Sequence, residues 1–147
     1  MTFTRPHGFA PGRISGKGIL SGVADADGVF VSTQVRLAHC DVPETGQPGY
    51  DQAMSFLRLV QTMTRKAEWE FVAIDDYGRL VAEVWPLDWT TEKRANSLSC
   101  ALVRKGLAWA TDDVYAAEEK EARDGRRGIW KRKNNIPPWE WRKGKRL

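Results

Sequence analysis

The chain has 147 residues, 41% of them hydrophobic and 29% charged, with a formal net charge of +4. A chain of that length and balance buries roughly two thirds of its unfolded surface, which excludes a wholly disordered or disulfide-stapled design. No stretch approaches the ~20 apolar residues of a membrane helix, and residues 1–20 hold no apolar run of signal-peptide length. The expectation is a soluble monomer with no membrane partner and no visible export address, its compartment left open.

Charge is unevenly placed. Residues 1–60 balance five basic against five acidic side chains, whereas residues 123–147 carry ten Lys and Arg against Asp124 and Glu140. A basic end beside a neutral body suits a polyanionic partner; solubilising surface charge is the plainer alternative. Cys40 and Cys100 match no metal-binding spacing, and their apolar neighbours mark them as buried thiols.

In chain order, residues 1–16 read as a loose arm rich in Pro and Gly. Lys17 to Ala24 reads as a strand bent by its glycines. Val29–Val31 and Gln34–Ala38 read as a hairpin about Ser32-Thr33, and Cys40 to Tyr50, with two prolines and two glycines, as a loop. Tyr50 to Thr62 puts Ala53, Phe56, Leu57 and Val60 on one helical face. Ala67–Ile74 and Leu80–Trp85 flank an Asp75-Asp76-Tyr77-Gly78 turn as a second hairpin. Ser97–Lys105 reads as a helix with Gly106 at its C-cap. Asp113–Arg127 reads as a third, charged helix, capped by Asp112 or Asp113 and stopped at Gly128.

About five short strands and three interspersed helices, without regular crossovers, predict a mainly β α+β fold, a small closed or half-closed barrel. Residues 17–142 form one domain in this reading, between the 1–16 arm and a basic 143–147 tail.

The chemistry concentrates in Arg36-Leu-Ala-His-Cys-Asp41-Val-Pro-Glu44. Arg36 rides the end of a strand, and Pro43 narrows the backbone choices beside Glu44. Asp25 and Asp27 precede the first hairpin, whose closure is expected to bring them towards Asp41. Hard oxygen ligands beside an arginine suit a phosphodiester: a cation and a guanidinium can share charge on the non-bridging oxygens while a carboxylate orients water. Arg79 emerges from the second turn at a point set by Gly78. His39 and His7 read as surface or supporting residues. Trp69, Trp85, Trp109 and Trp130 read as core, with Trp139 and Trp141 pinning the tail.

Taken in order, these segments resemble the staphylococcal nuclease-like (thermonuclease) family. Its pattern of an aspartate pair, R-L-x-G-I-D-x-P-E, D-x-Y-G-R, L-V-x-x-G-L-A and G-[IL]-W is matched by Asp25-Ala-Asp27, by Arg36-Leu37 through Asp41-Val-Pro-Glu44, and by Asp75-Asp-Tyr-Gly-Arg79. Leu102 through Ala108 and Gly128-Ile-Trp130 complete it, and Pro138-Trp-Glu-Trp-Arg142 looks like an ending common in bacterial relatives. The resemblance implies an OB-fold five-stranded β-barrel with three helices, and calcium-dependent hydrolysis of DNA and RNA leaving 3′-phosphate ends. By resemblance, Arg36, Glu44 and Arg79 are catalytic, Asp27 and Asp41 bind the metal with Asp25 as a supporting carboxylate, and Tyr77 and Tyr115 contact substrate. Calcium enters only this way, and magnesium suits the same ligands. Two departures stand out. His39-Cys40 replaces glycine-isoleucine, and an alternative registration puts Val29 where the metal aspartate belongs, which would leave a nucleic-acid-binding module without turnover.

Overall fold

A computed structural model describes residues 19–25, 28–32, 34–64, 66–86 and 97–147. Strand β1 (Ile19–Asp25) turns directly into β2 (Gly28–Ser32), and the two pair antiparallel from Ile19↔Ser32 to Asp25↔Gly28. Strand β3 (Val35–Leu37) lies parallel to β6 (Leu80–Pro86), which pairs antiparallel with β5 (Ala67–Ile74) to give the order β3-β6-β5. Two-residue strands β4 (Cys40–Asp41) and β7 (Trp109–Ala110) pair antiparallel as a third sheet.

Two expectations are corrected here. The predicted hairpin of Val29–Val31 with Gln34–Ala38 does not form, because β2 turns back on β1 and β3 takes β6 instead. Nor do the described strands close into a five-stranded barrel with three helices. Among the described residues seven strands sort into three separate sheets, accompanied by four α-helices. Closure demands that every edge strand find a partner and turn an apolar face inward. Here β3 is only three residues long, and β5 is exposed along its whole length, Trp69 included at 56%. The expectation of a core Trp69 fails with it, while Trp109 is buried, Trp85 and Trp130 are partly so, and Trp89 lies outside the described residues.

The core forms instead where helices meet the short sheet. Helix α1 (Tyr50–Met63) buries Ala53 and Val60, and α2 (Leu98–Arg104) buries Cys100, Leu102 and Val103; all of these but Val60 gather with Cys40, Ala108 and Tyr115. Fully burying an aliphatic side chain such as Leu102 is worth about 1.5–3 kcal/mol. Both cysteines are buried and outside any disulfide, and burial pushes the Cys40 thiol up to about 12. No described helix is long and apolar enough to cross a membrane.

Helix ends explain the rest of the path. Ser97 caps α2 by accepting the Cys100 N–H, and the helix closes with Gly106 N–H to Val103 O and Leu107 N–H to Leu102 O, the paired bonds of a Schellman ending. The predicted third helix is shorter than expected. A 3-10 turn at Asp113–Tyr115, capped by Asp112, leads into α3 (Ala116–Asp124), and Arg126 takes the left-handed conformation at φ 48°. Arg127 N–H then closes on Ala122 O, so the stop falls before Gly128. A second 3-10 turn (Gly128–Lys131) and α4 (Pro138–Arg142), the helix absent from the sequence reading, bring the chain back over β4.

Gly106 and Gly128 touch backbone to backbone, both at positive φ, and Ile129 N–H bonds Gly106 O. A Cβ on Gly128 would run into the Gly106 carbonyl, which no side-chain rotation relieves. Gly128→Ala is therefore expected to lower unfolding free energy by about 3 kcal/mol. Gly46→Ala, at positive φ in open space, should cost only about 1 kcal/mol. Equal losses for the two in denaturant titration would remove the close-approach argument.

Candidate active site

Arg36 lies in β3 opposite Val81, and the chain then makes a tight turn in which His39 adopts φ 61°, a left-handed conformation that favours glycine. That turn carries the chain into β4, where Asp41 pairs with Trp109. Beyond it, buried Pro43 sets up Glu44, whose backbone N–H donates to Gln47 Oε1 at 2.8 Å. Gln47 is itself buried and donates Nε2 to Ile136 O at 2.6 Å. Glu44 is thus tied through one amide to the C-terminal segment.

That segment supplies the residue missed in the sequence reading. From the last position of α4, Arg142 spreads its guanidinium over both carboxylates, Nη2 donating to Asp41 Oδ2 at 2.8 Å and Nη1 to Glu44 Oε1. The bond to Asp41, and that to Glu44, raise the Arg142 pKa further above its ordinary value, so it is charged at every working pH. Arg36 approaches from the other side, Nη2 3.9 Å from Asp41 Oδ1. Arg36, Asp41, Arg142 and Glu44 therefore form one chain of contacts, Asp41 shared by the two guanidinium groups and Glu44 held by Arg142. The only signal for Arg142 in the sequence was its place in the Pro138-Trp-Glu-Trp-Arg142 ending.

Arg79 stands apart from these contacts. It follows the β5–β6 turn, where Gly78 takes φ 76°, and its Nε donates to Asp75 Oδ2 at 2.7 Å. The parallel register Val35↔Leu80, Arg36↔Val81 sets Arg79 two residues before the partner of Arg36, so both belong to the same end of this sheet. Tyr77, 85% exposed, sits with the Arg79 guanidinium 5.3 Å from its ring centroid. Tyr115 is placed differently from an open substrate contact: it is 2% exposed and donates its hydroxyl to Glu83 at 3.0 Å, with Ser97 Oγ 2.9 Å away. Asp25 ends β1, and Asp27 lies outside the described residues.

His39 has partners that the sequence did not disclose. Its Nδ1 is 2.7 Å from Asp112 Oδ2 and its Nε2 4.0 Å from Glu83 Oε1, beside Tyr115. The imidazole ties β4's entry to the cap of the 3-10 turn, a supporting role consistent with the expectation for it.

The match to known proteins follows the same ground. The model of the staphylococcal nuclease homologue family covers residues 34–132. The chain is 33% identical over 131 residues to the micrococcal nuclease of Shigella flexneri, spanning 81% of this chain and 75% of that protein. It is 28% identical over 130 residues to an uncharacterized endonuclease of Escherichia coli, spanning 82% and 80%. A staphylococcal-like nuclease of Arabidopsis thaliana is 33% identical over 120 residues, or 77% of this chain but 34% of the plant protein. The chain belongs to the staphylococcal nuclease homologue family, and its class is that of the nucleases.

Partial desolvation pushes the Asp75 carboxyl up, but the backbone N–H of Arg79, the Arg79 guanidinium and the backbone N–H of Tyr77 outweigh it and hold the pKa below the usual carboxylate range. A depressed folded value means that this contribution to stability is present above the unfolded pKa of about 3.9 and is lost as pH falls through the folded one. Carbon-detected NMR titration should give Asp75 a midpoint below that of a model aspartate, moving back up in Arg79→Ala. An ordinary midpoint in the wild-type chain would contradict the Asp75–Arg79 geometry.

Proposed function

We propose that the chain is an endonuclease hydrolysing phosphodiester bonds of DNA and RNA to leave 3′-phosphate ends. The observation that carries this reading is the convergence of Arg36, Asp41, Glu44 and Arg142 on one surface, in a chain of a nuclease family. In it, the forks of Arg36 and Arg79 bind the non-bridging phosphate oxygens and offset the charge that grows there. Glu44 orients the attacking water, whose oxygen bonds phosphorus as the bond from phosphorus to the 5′-oxygen breaks; the water gives up one proton to solvent and the leaving oxygen takes one up from solvent. Arg142 is a positioning residue that holds Glu44 beside Asp41.

The calcium requirement implied by resemblance is the finer part of the proposal, and it rests on the family. Among the described residues no group of three or more His, Cys, Asp or Glu side chains is gathered to hold a metal ion, and Arg142 engages one oxygen of each acid, Asp41 Oδ2 and Glu44 Oε1. As arranged, a divalent cation would have to displace Arg142 from these two oxygens, and no step is routed through one. The same observation favours a second reading, a module that binds nucleic acid without turnover.

One assay separates the two. The purified chain is incubated with single-stranded DNA and RNA, with calcium or with chelator, beside Arg79→Ala and Glu44→Gln. The expected outcome is cleavage that chelator abolishes and calcium restores. Glu44→Gln should lower kcat by roughly 10²–10³-fold, the scale of removing one positioned polar group, with nucleic-acid affinity kept within about threefold. Wild-type turnover no greater than that of Arg79→Ala, with tight binding retained, would support the noncatalytic module instead.

A further inference from the structure

Beside the candidate centre runs an open cleft of about 520 Å³, walled by β7, α3 and the chain from Trp130 to Trp139. That size lies within the range of small-ligand sites, roughly 300–1,000 Å³. Its lining alternates indole rings with cations. Trp109 and Trp130 pack edge to face, centroids 5.6 Å apart, and form the inner wall. Trp139, 37% exposed, stands at the open side.

The charges are not balanced within the cleft. Its one acid, Glu119, is already engaged by the Ala110 N–H at 3.3 Å and by Arg123 at 3.3 Å, and Arg123 stacks on Trp130 at 4.0 Å. Arg132 and Lys133 also line it, are exposed, and make no ion pair among the described residues. The surface therefore carries unneutralised positive charge next to an accessible aromatic ring.

Two independent links join this cleft to the acids. Trp109 is the antiparallel partner of Asp41, and directly opposed residues project from the same face of such a pair. Trp139 precedes Arg142 by three positions in α4, hence on the same side of the helix. A strand whose phosphate lay at Arg36 and Glu44 would have its neighbouring nucleotides delivered here.

We infer that the Trp109–Trp139 cleft is a subsite for single-stranded nucleic acid, with Trp139 stacking an unpaired base and Arg132 and Lys133 holding the phosphates beside it. The inference rests on the nuclease reading for its substrate class. Single strands are specified because a base can stack on a side chain only when it is released from its duplex neighbours.

The test compares Trp139→Ala and Lys133→Gln with the wild-type chain on a dinucleotide, too short to span centre and cleft together, and on a twelve-residue oligothymidine. Equilibrium binding of the oligothymidine is measured across a salt series. Trp139→Ala should raise KM for the oligothymidine at least about fivefold, the scale of one stacked base, with kcat and the dinucleotide constants unchanged. Lys133→Gln, an exposed substitution that does not threaten folding, should reduce the slope of log K against log salt by about 0.7, one phosphate contact on a single strand. Oligothymidine constants and salt slope that match wild type in both variants would overturn the inference, as would an equal KM rise on the dinucleotide. If no substrate is cleaved, the catalytic reading fails while the binding series still decides the cleft.

Discussion

One guanidinium holds the candidate site together. Asp41 and Glu44 leave successive parts of the same chain segment, and two carboxylates facing one surface repel unless a cation lies between them. Arg142 provides that charge from nearly the other end of the sequence, with one fork arm on each acid. The position of α4 and the orientation of both acids are therefore one structural fact. Since Arg142 and Glu44 are both partly exposed, solvent screens the pair, and its worth lies near the ~1 kcal/mol of surface ion pairs. The contact is consequently an organiser of geometry more than a source of stability.

The scaffold serves this contact at several points. Gln47 carries the Glu44 backbone to Ile136, two positions before the start of α4. The abutting Gly106 and Gly128 fix the turn from which the C-terminal segment departs. Pairing of Asp41 with Trp109 sets β4 against the wall of the aromatic cleft. A rigid core of α1, α2 and the β4–β7 pair thus holds the acids, while the arginine end of β6 projects from a largely exposed hairpin.

What could be read from the sequence was local. The apolar period of Tyr50–Thr62, the Asp75–Gly78 turn and the Gly106 ending each depend on residues a few positions apart, and each reappears in the structure. The failures were nonlocal. Val29–Val31 and Gln34–Ala38 are both β-prone, but propensity does not choose a partner, and β2 pairs backwards with β1 while β3 pairs with β6. Closure of a barrel likewise depends on edge pairing between distant strands. Arg36, Asp41 and Glu44 fall close together, as their spacing suggested. Arg142 was invisible as a site residue because ten basic side chains crowd the C-terminal stretch and nothing in the sequence distinguishes the one that folds back. The partner of His39 was hidden because Asp112 lies 73 positions away.

Arg142 and Glu44 are coupled in the folded chain. A double-mutant cycle on unfolding free energy, with Arg142→Gln, Glu44→Gln and the double variant, measures that coupling directly. The expected interaction is about 0.5–1 kcal/mol and shrinks as salt is added. Strictly additive losses at low salt would contradict it.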